Sequence, residues 1–361
     1  MSPVAPPAAA PSGVQAPLLL AARRKAVARV PIWLMRQAGR YLPEYRALRA
    51  RHKMEELLSH PELAAEITLQ PLKRFDLDAA IVFTDILPPL AAMGLEIAFR
   101  GGESGEGPLV VSPLSRPHDI DMLAVPPAAE SLGPVLRTIQ MVKGELEAGG
   151  VPLIGFAGAP FTLASYAIEG GGSRTYAKTK ALMYSQPAAW NRLMTKLVTL
   201  LSDYLVAQAK AGASALQVFD SWAGIALGRD DYVRYVQPYN TRLFAAVAAA
   251  GVPVINFSTG TAPFIEEVAA CGGEVVGVDW RMPMGFYREK IGGNRAIQGN
   301  LDPAALLAPW REVARRVDAV LEAGGGVGHI FNLGHGILPE TPIDTVARLI
   351  EHVHGWKGTP S

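Results

Sequence analysis

The run PAAWNRLMTKLVTLLSDYLVAQAKAGASALQVFD, Pro187–Asp220, decides how this chain folds. Proline suits a first helical turn, and apolar residues then recur at helical spacing, which predicts a helix over Pro187–Ala211. Gly212 stops it, because glycine enters the left-handed region at little cost. A short apolar strand, Ala215–Phe219, follows at once and leads into Asp220. An amphipathic helix that feeds an apolar strand through a glycine is the repeating unit of a parallel sheet covered by helices.

The same pattern recurs on both sides. Strands are expected at Val30–Met35, Ala80–Thr84, Pro152–Phe156, Val252–Phe257, Val275–Asp279, Ala296–Gln298 and His329–Asn332. With Ala215–Phe219 that makes eight. Further helices are expected at Asp231–Ala250, Ala308–Ala323 and Pro342–His354. Eight strands alternating with helices predict one (β/α)8 barrel of the TIM type, a fold that routinely exceeds 250 residues in a single domain. The stretch Pro88–Val125 interrupts the alternation. It holds a hairpin, Leu95–Arg100 and Leu109–Ser112, around the glycine-rich Gly101–Gly105, and reads as an insertion on the barrel rim. The barrel domain is expected over residues 29–361, after a disordered Ala/Pro-rich tail over residues 1–28 that lacks any period able to build a core.

Net charge is +1, apolar residues make up 49% and charged residues 19%, so the chain has material for a large core and no global affinity for polyanions. Local charge differs: ten Lys or Arg and one acid, Glu44, lie between Arg23 and Lys53, which points to a site for a multiply negative ligand or to a solvated basic arm. No apolar run reaches the 18 or so residues of a membrane span. The one cysteine, Cys271, excludes an internal disulfide and a cysteine-rich metal cluster and fits the reducing cytoplasm. In the tail, Ala16–Ala22 precedes its positive charges, the wrong order for a secretory signal; its lack of acids leaves an organellar transit segment open.

In barrels of this type the site lies at the C-terminal ends of the strands. Arg36, Gln37 and Arg40 follow the first expected strand, and Asp85 ends the second. Tyr166 follows the third, Asp220 and Ser221 end the fourth, and Gly334-His335-Gly336 follows the last. The conspicuous polar residues therefore converge on one face.

Two stretches carry a resemblance. Pro31–Arg46, PIWLMRQAGRYLPEYR, resembles the N-terminal signature of uroporphyrinogen decarboxylases, and Gly155–Tyr166, GFAGAPFTLASY, resembles their second signature, continued by Glu169–Ser173. Leu69–Pro71, Phe83–Leu87, Gln298–Pro303 and Asn332–Gly336 add ordered matches, so the resemblance covers the chain from about residue 29 onward. It implies a distorted (β/α)8 barrel, a homodimer, and decarboxylation of the four acetates of uroporphyrinogen III to coproporphyrinogen III in haem biosynthesis, without metal or organic cofactor.

Such a carboxy-lyase must delocalise the electron pair left when carbon dioxide departs. A pyrrole protonated at a ring carbon supplies that sink. Asp85, among Ile81, Val82, Phe83, Ile86 and Leu87, is the expected central carboxylate, accepting the pyrrole N–H groups and stabilising the cation. A unit-charge pair at 4 Å contributes roughly 4 kcal/mol at an effective dielectric of 20. Its bland alternative is a helix N-cap. The resemblance assigns Arg36 and Arg40 to substrate carboxylates, with Arg36 also a candidate for proton delivery and Arg49 a weaker member of the set; guanidinium forks suit carboxylates. Tyr166 and Ser221 are expected to donate hydroxyl hydrogen bonds to Asp85 or to a propionate, with Tyr166 also counted among the catalytic residues. His335, between two glycines and with an ordinary pKa near neutrality, is expected to bind carboxylate or relay protons. Phe156 and Phe219 are expected to form apolar walls, and Gln37 and Ala38 to offer backbone N–H groups. Cys271 reads as a buried thiol, and Gly324–Gly326 as a helix stop.

Three rivals are weaker. A methyltransferase of the same barrel superfamily would activate a thiol at zinc held by His and Cys, and one cysteine without a His-x-Cys partner does not make that site. A tetrapyrrole carrier without catalysis has no need of a costly carboxylate at the ring centre. A nucleic-acid binder would need a groove-reading motif, and none is present.

Overall fold

A computed structural model describes residues 16–99 and 107–358. Seven strands form one parallel sheet whose order follows the chain. These are β1 (Ala80–Ile81), β4 (Leu153–Gly158), β5 (Ala215–Asp220), β6 (Val254–Ser258), β7 (Val275–Gly277), β8 (Ala296–Leu301) and β9 (His329–Leu333). The expected strands are thus in place within a few residues, with pairings such as Phe219↔Phe257 between β5 and β6 and Ile297↔His329 between β8 and β9. Residues of β4, β6 and β8 are buried throughout, as expected of parallel strands covered on both faces.

The first expected strand is different. Val30–Met35 makes a single bridge, Ile32 to Phe331, and is otherwise irregular. It still closes the barrel between β9 and β1, because Phe331 N–H donates to Pro31 O at 2.8 Å and Asp78 N–H to Ile32 O at 2.9 Å. The reason lies in where its own donors go. Pro31 has none, Ile32 N–H goes to Asp78 Oδ2, Leu34 N–H to Gln37 Oε1 and Met35 N–H to Asn332 Oδ1. Side chains thus take three of the N–H groups that a neighbouring strand would take in a ladder, while Trp33 N–H donates to Phe331 O at 3.4 Å. The side chain of Trp33 continues inward, donating through Nε1 to Gln298 Oε1 at 3.0 Å, and Gln298 donates in turn to Gln217 Oε1 at 2.9 Å. A polar row thereby crosses the barrel interior.

Helices cover the outside. Pro187–Ala211 is one helix, as its spacing predicts, and its Gln208 exchanges two hydrogen bonds of 2.8 Å with the backbone of Phe156. Gly212 ends it at φ 127°, pressed against Lys143. The expected helix Asp231–Ala250 is two, Arg229–Tyr235 and Gln237–Val247, because Pro238 supplies no N–H for a continuous ladder and the chain leaves helical geometry at Val236, φ −125°. The rim insertion forms the antiparallel pair β2 (Ile97–Phe99) and β3 (Pro108–Val110), shorter than expected; Arg100 and the turn Gly101–Gly105 lie outside the described residues.

The tail also needs correction within residues 16–28. Pro17–Ala22 is an α-helix with Leu18 and Ala21 fully buried against β8 and β9, so apolar burial fixes a segment that lacks any longer period. It covers the barrel end opposite the site. No helix among the described residues is long and apolar enough to cross a membrane.

Candidate active site

A cavity of about 440 Å³ opens at the C-terminal ends of the strands. Arg36, Ala38, Arg40 and Arg49 line one side and Asp85 the floor; Phe156, Phe219 and Phe257 form a wall, completed by Tyr166, Ser221 and His335. Ten of the eleven residues expected from sequence are therefore brought together.

The exception is Gln37. It is fully buried beneath the cavity, its amide donating to Ala79 O at 3.0 Å and its N–H to Leu34 O at 2.9 Å. Its N–H is thus engaged within the fold and does not face the cavity, and its side chain ties the closing segment to the start of β1. Neighbours in sequence point to opposite sides here, and the signature does not reveal which.

Asp85 accepts the Leu87 N–H through Oδ1 at 2.9 Å, so the N-cap alternative is also realised locally. One bond leaves most of the carboxylate available. Burial pushes its carboxyl above the usual aspartate range, opposed in order by the Leu87 N–H, the Arg36 charge and the Ile86 N–H. Ionised Asp85 is therefore a strong attractor for any cation or N–H donor that enters.

Arg36 is held in the left-handed region at φ 62°, unusual for a residue with a side chain. Two glycines allow this placement. A Cβ at Gly39 would lie 2.7 Å from Arg36 O, and one at Gly336 would overlap the Arg36 side chain at Cδ. The Arg36 charge acts on Asp85, Tyr166, His335 and Tyr45, which makes it the electrostatic hub of the cavity. Among the described residues, no carboxylate forms an ion pair with Arg36, Arg40 or Arg49.

Tyr166 stacks on Trp222 with ring centroids 4.1 Å apart. Burial and then the Asp85 charge keep its hydroxyl protonated far above neutrality, so it serves as a donor. Ser221 is fixed through its backbone: its N–H donates to Thr162 Oγ1 at 3.0 Å, and Thr162 donates to Asp220 Oδ1 at 3.0 Å. Phe156 and Phe219 meet edge to face at 5.3 Å, and Phe219 meets Phe257 at 5.6 Å.

His335 departs from expectation. Burial, then the charges of Arg36 and Arg281, hold its pKa down at about 4, so the imidazole is neutral near pH 7. Proton relay through an ordinary titration near neutrality does not fit this group; a neutral N–H donor does. Its ring stands edge-on to Trp280.

Phe257 and Tyr45 are among the lining residues that the sequence reading does not single out. Phe257 pairs directly with Phe219 across β5 and β6, so the inward alternation of β6 was the available signal. Tyr45 lies inside the first signature, one helical turn before Arg49, and that spacing could have flagged it.

An arginine-lined cavity with a half-buried carboxylate at the mouth of a parallel α/β barrel defines an enzyme of the TIM-barrel class. The chain belongs to the uroporphyrinogen decarboxylase family: the family model described as Uroporphyrinogen decarboxylase (URO-D) matches residues 15–356. The uroporphyrinogen decarboxylase of Chloroflexus aurantiacus is 52% identical over 343 residues, covering 94% of this chain and 95% of that protein. That of Thermus thermophilus is 48% identical over 335 residues, covering 92% and 96%. A methyltransferase from Methanosarcina mazei shares the fold, with a TM-score of 0.78 at 20% identity over 93% of this chain and 96% of its own.

Proposed function

We propose that this chain decarboxylates the acetate side chains of uroporphyrinogen III to give coproporphyrinogen III, with Asp85 at the centre of the reaction. The observation that carries this reading is a carboxylate lining the cavity with one hydrogen bond from the protein, beside guanidiniums that pair with no carboxylate among the described residues, although Arg49 gives one N–H to His52 O at 2.7 Å. A polycarboxylate whose pyrrole N–H groups face Asp85 complements both.

In this reading the pyrrole N–H groups donate to Asp85. Protonation of a pyrrole at a ring carbon gives a cation that ionised Asp85 stabilises, and the apolar wall of Phe156, Phe219 and Phe257 strengthens that interaction. The bond between the acetate methylene and its carboxylate then breaks, and its electron pair neutralises the ring cation as carbon dioxide leaves. A proton added at the methylene carbon makes the methyl group, and loss of the ring proton restores the pyrrole. Each turnover consumes one proton per carbon dioxide. Arg36, the cation that acts on Asp85, lies where the reacting acetate would sit and orients proton delivery there. Arg40, Arg49, Ser221, Ala38 and the neutral His335 hold the remaining carboxylates, and Tyr166 donates beside Asp85. The chemistry runs on side chains and substrate without a cofactor, in the cytoplasm, where the lone buried thiol Cys271 stays reduced. The functional unit is a homodimer, and a sedimentation mass twice the 38.5 kDa of the chain tests that part.

The purified protein is incubated anaerobically with uroporphyrinogen III and a chelator, and the oxidised products are separated by carboxylate number. Products with seven to four carboxylates are expected. Tight binding with no loss of carboxylates would replace the enzyme by a carrier.

A further inference from the structure

We propose that the hydroxyl of Tyr45 is a further substrate ligand, acting with Arg40 and Arg49 on the carboxylate of a side chain other than the one reacting; this rests on the decarboxylase reading above. Tyr45 sits on the helix Pro43–Arg49, four residues before Arg49, so the two side chains share one face. Its ring is 5% exposed and meets Phe83 edge-on at 5.8 Å, which fixes where the hydroxyl can point. That hydroxyl belongs to the cavity lining and has no hydrogen-bond partner among the described residues.

Three guanidiniums share the cavity with it, and their charges act on it. Burial raises the Tyr45 pKa, and Arg49, Arg40 and Arg36, in that order, oppose the rise, so the proton stays on oxygen at neutral pH and is polarised by cations. A polarised O–H among positive charges needs an anionic acceptor. The nearest acid in sequence, Glu44, is taken by Arg74. The geometry therefore suits an entering carboxylate that accepts from one hydroxyl and one or two guanidinium forks.

The position separates this subsite from the chemistry. Asp85 feels Arg36 and neither Arg40 nor Arg49, whereas Tyr45 feels Arg49 and Arg40 first. Arg36 joins the two ends. The carboxylate beside Asp85 is the one that leaves, so the one at Tyr45 stays attached and serves to hold the macrocycle in register.

Tyr45→Phe deletes the hydroxyl and keeps the ring. KM for uroporphyrinogen III and kcat are measured for wild type, Tyr45→Phe, Arg49→Lys and the double variant, with melting temperature as a control. Tyr45→Phe is expected to raise KM roughly tenfold, the scale of one hydrogen bond to a charged group, with kcat within about twofold. A shared carboxylate makes the two substitutions non-additive. An unchanged KM, a loss confined to kcat, or strictly additive losses would overturn the inference. An inactive wild type would instead remove the decarboxylase reading itself.

Discussion

Asp78 and Asp85 lie at the two ends of β1, seven residues apart, and the protein treats them in opposite ways. At the N-terminal end, Asp78 is saturated: it accepts from Arg29 at 2.9 Å, from the Ile32 N–H at 2.8 Å and from His354 at 2.8 Å. Asp76 adds a second acid to the same cluster, bonded to Arg29 and 3.4 Å from His354. At the C-terminal end, Asp85 keeps one 2.9 Å bond, and the arginines around it have no protein carboxylate among the described residues. Charges that hold the fold are matched within it; at the proposed site the arginines meet no carboxylate among the described residues. The difference marks the working end of the barrel without reference to any relative.

Substituting the two acids tests that contrast most sharply. Asp85→Asn keeps the acceptor for Leu87 N–H and removes the charge, so kcat is expected to fall roughly 10²- to 10³-fold. The same change is expected to raise the melting temperature by roughly 2–4 °C. The sign follows from a folded-state pKa above the unfolded value: ionised Asp85 costs stability, and that cost appears as pH rises from the ordinary aspartate range through the raised value. An unchanged rate in the product assay would remove Asp85 from the chemistry. Asp78→Ala is expected to do the reverse, costing about 3–5 kcal/mol by chemical denaturation because Arg29 and His354 lose their buried partner. A variant as stable as the wild type would show that the lower cluster is ornamental.

A smaller effect sharpens the comparison at the rim. In Gly336→Ala the new methyl overlaps Arg36 and displaces the hub from Asp85 and His335. A 10- to 100-fold loss in kcat/KM is expected, from a misplaced charge. Far-UV circular dichroism should show an intact fold, and full activity would mean that Arg36 does not need this seat.

The smallest effect is a pH slope. His335 and His329 are both held at about 4, against an ordinary 6.5, by burial first. Each is neutral in the folded protein and protonates earlier when unfolded. Stability is therefore full above pH 6.5 and declines as pH falls from there toward 4. His335→Gln should remove one of the two protons from that linkage, read as a shallower melting curve against pH; an identical slope would place His335 outside the buried set.

The barrel was legible wherever a short apolar run is buried on both faces, as in β4, β5, β6, β8 and β9, because composition alone then marks a strand. Val30–Met35 reads as a strand for the same reason, yet its donors are claimed by Asp78, Gln37 and Asn332, a competition visible only in three dimensions. Pro238 split a helix whose amphipathic spacing runs across it. Leu18 and Ala21 anchor a helix too short to show a period. Along the cavity, Arg36, Arg40, Arg49, Asp85, Phe156, Tyr166 and Phe219 were legible through the signatures and strand-end positions, whereas Phe257 and Tyr45 were not. Gln37 was misread because being next to Arg36 says nothing about which way an amide faces. The depressed pKa of His335 follows from burial and two arginines, one of them, Arg281, on a loop far away in sequence.

The closing segment has a consequence for how the protein comes to work as it is made. Trp33 is held by Gln298, 265 residues later, and Met35 by Asn332, 297 residues later. Contacts of such long range form late, after the chain between them has been organised. Arg36 follows directly on that segment, so a nascent chain exposes its signature arginines early but cannot seat them until β9 has left the ribosome. The newborn protein carries its ligand-seeking charges for nearly the whole of synthesis without a site to put them in. Activity therefore arrives as a single late event, and a chain cut short of residue 329 would hold most of the barrel and none of the function.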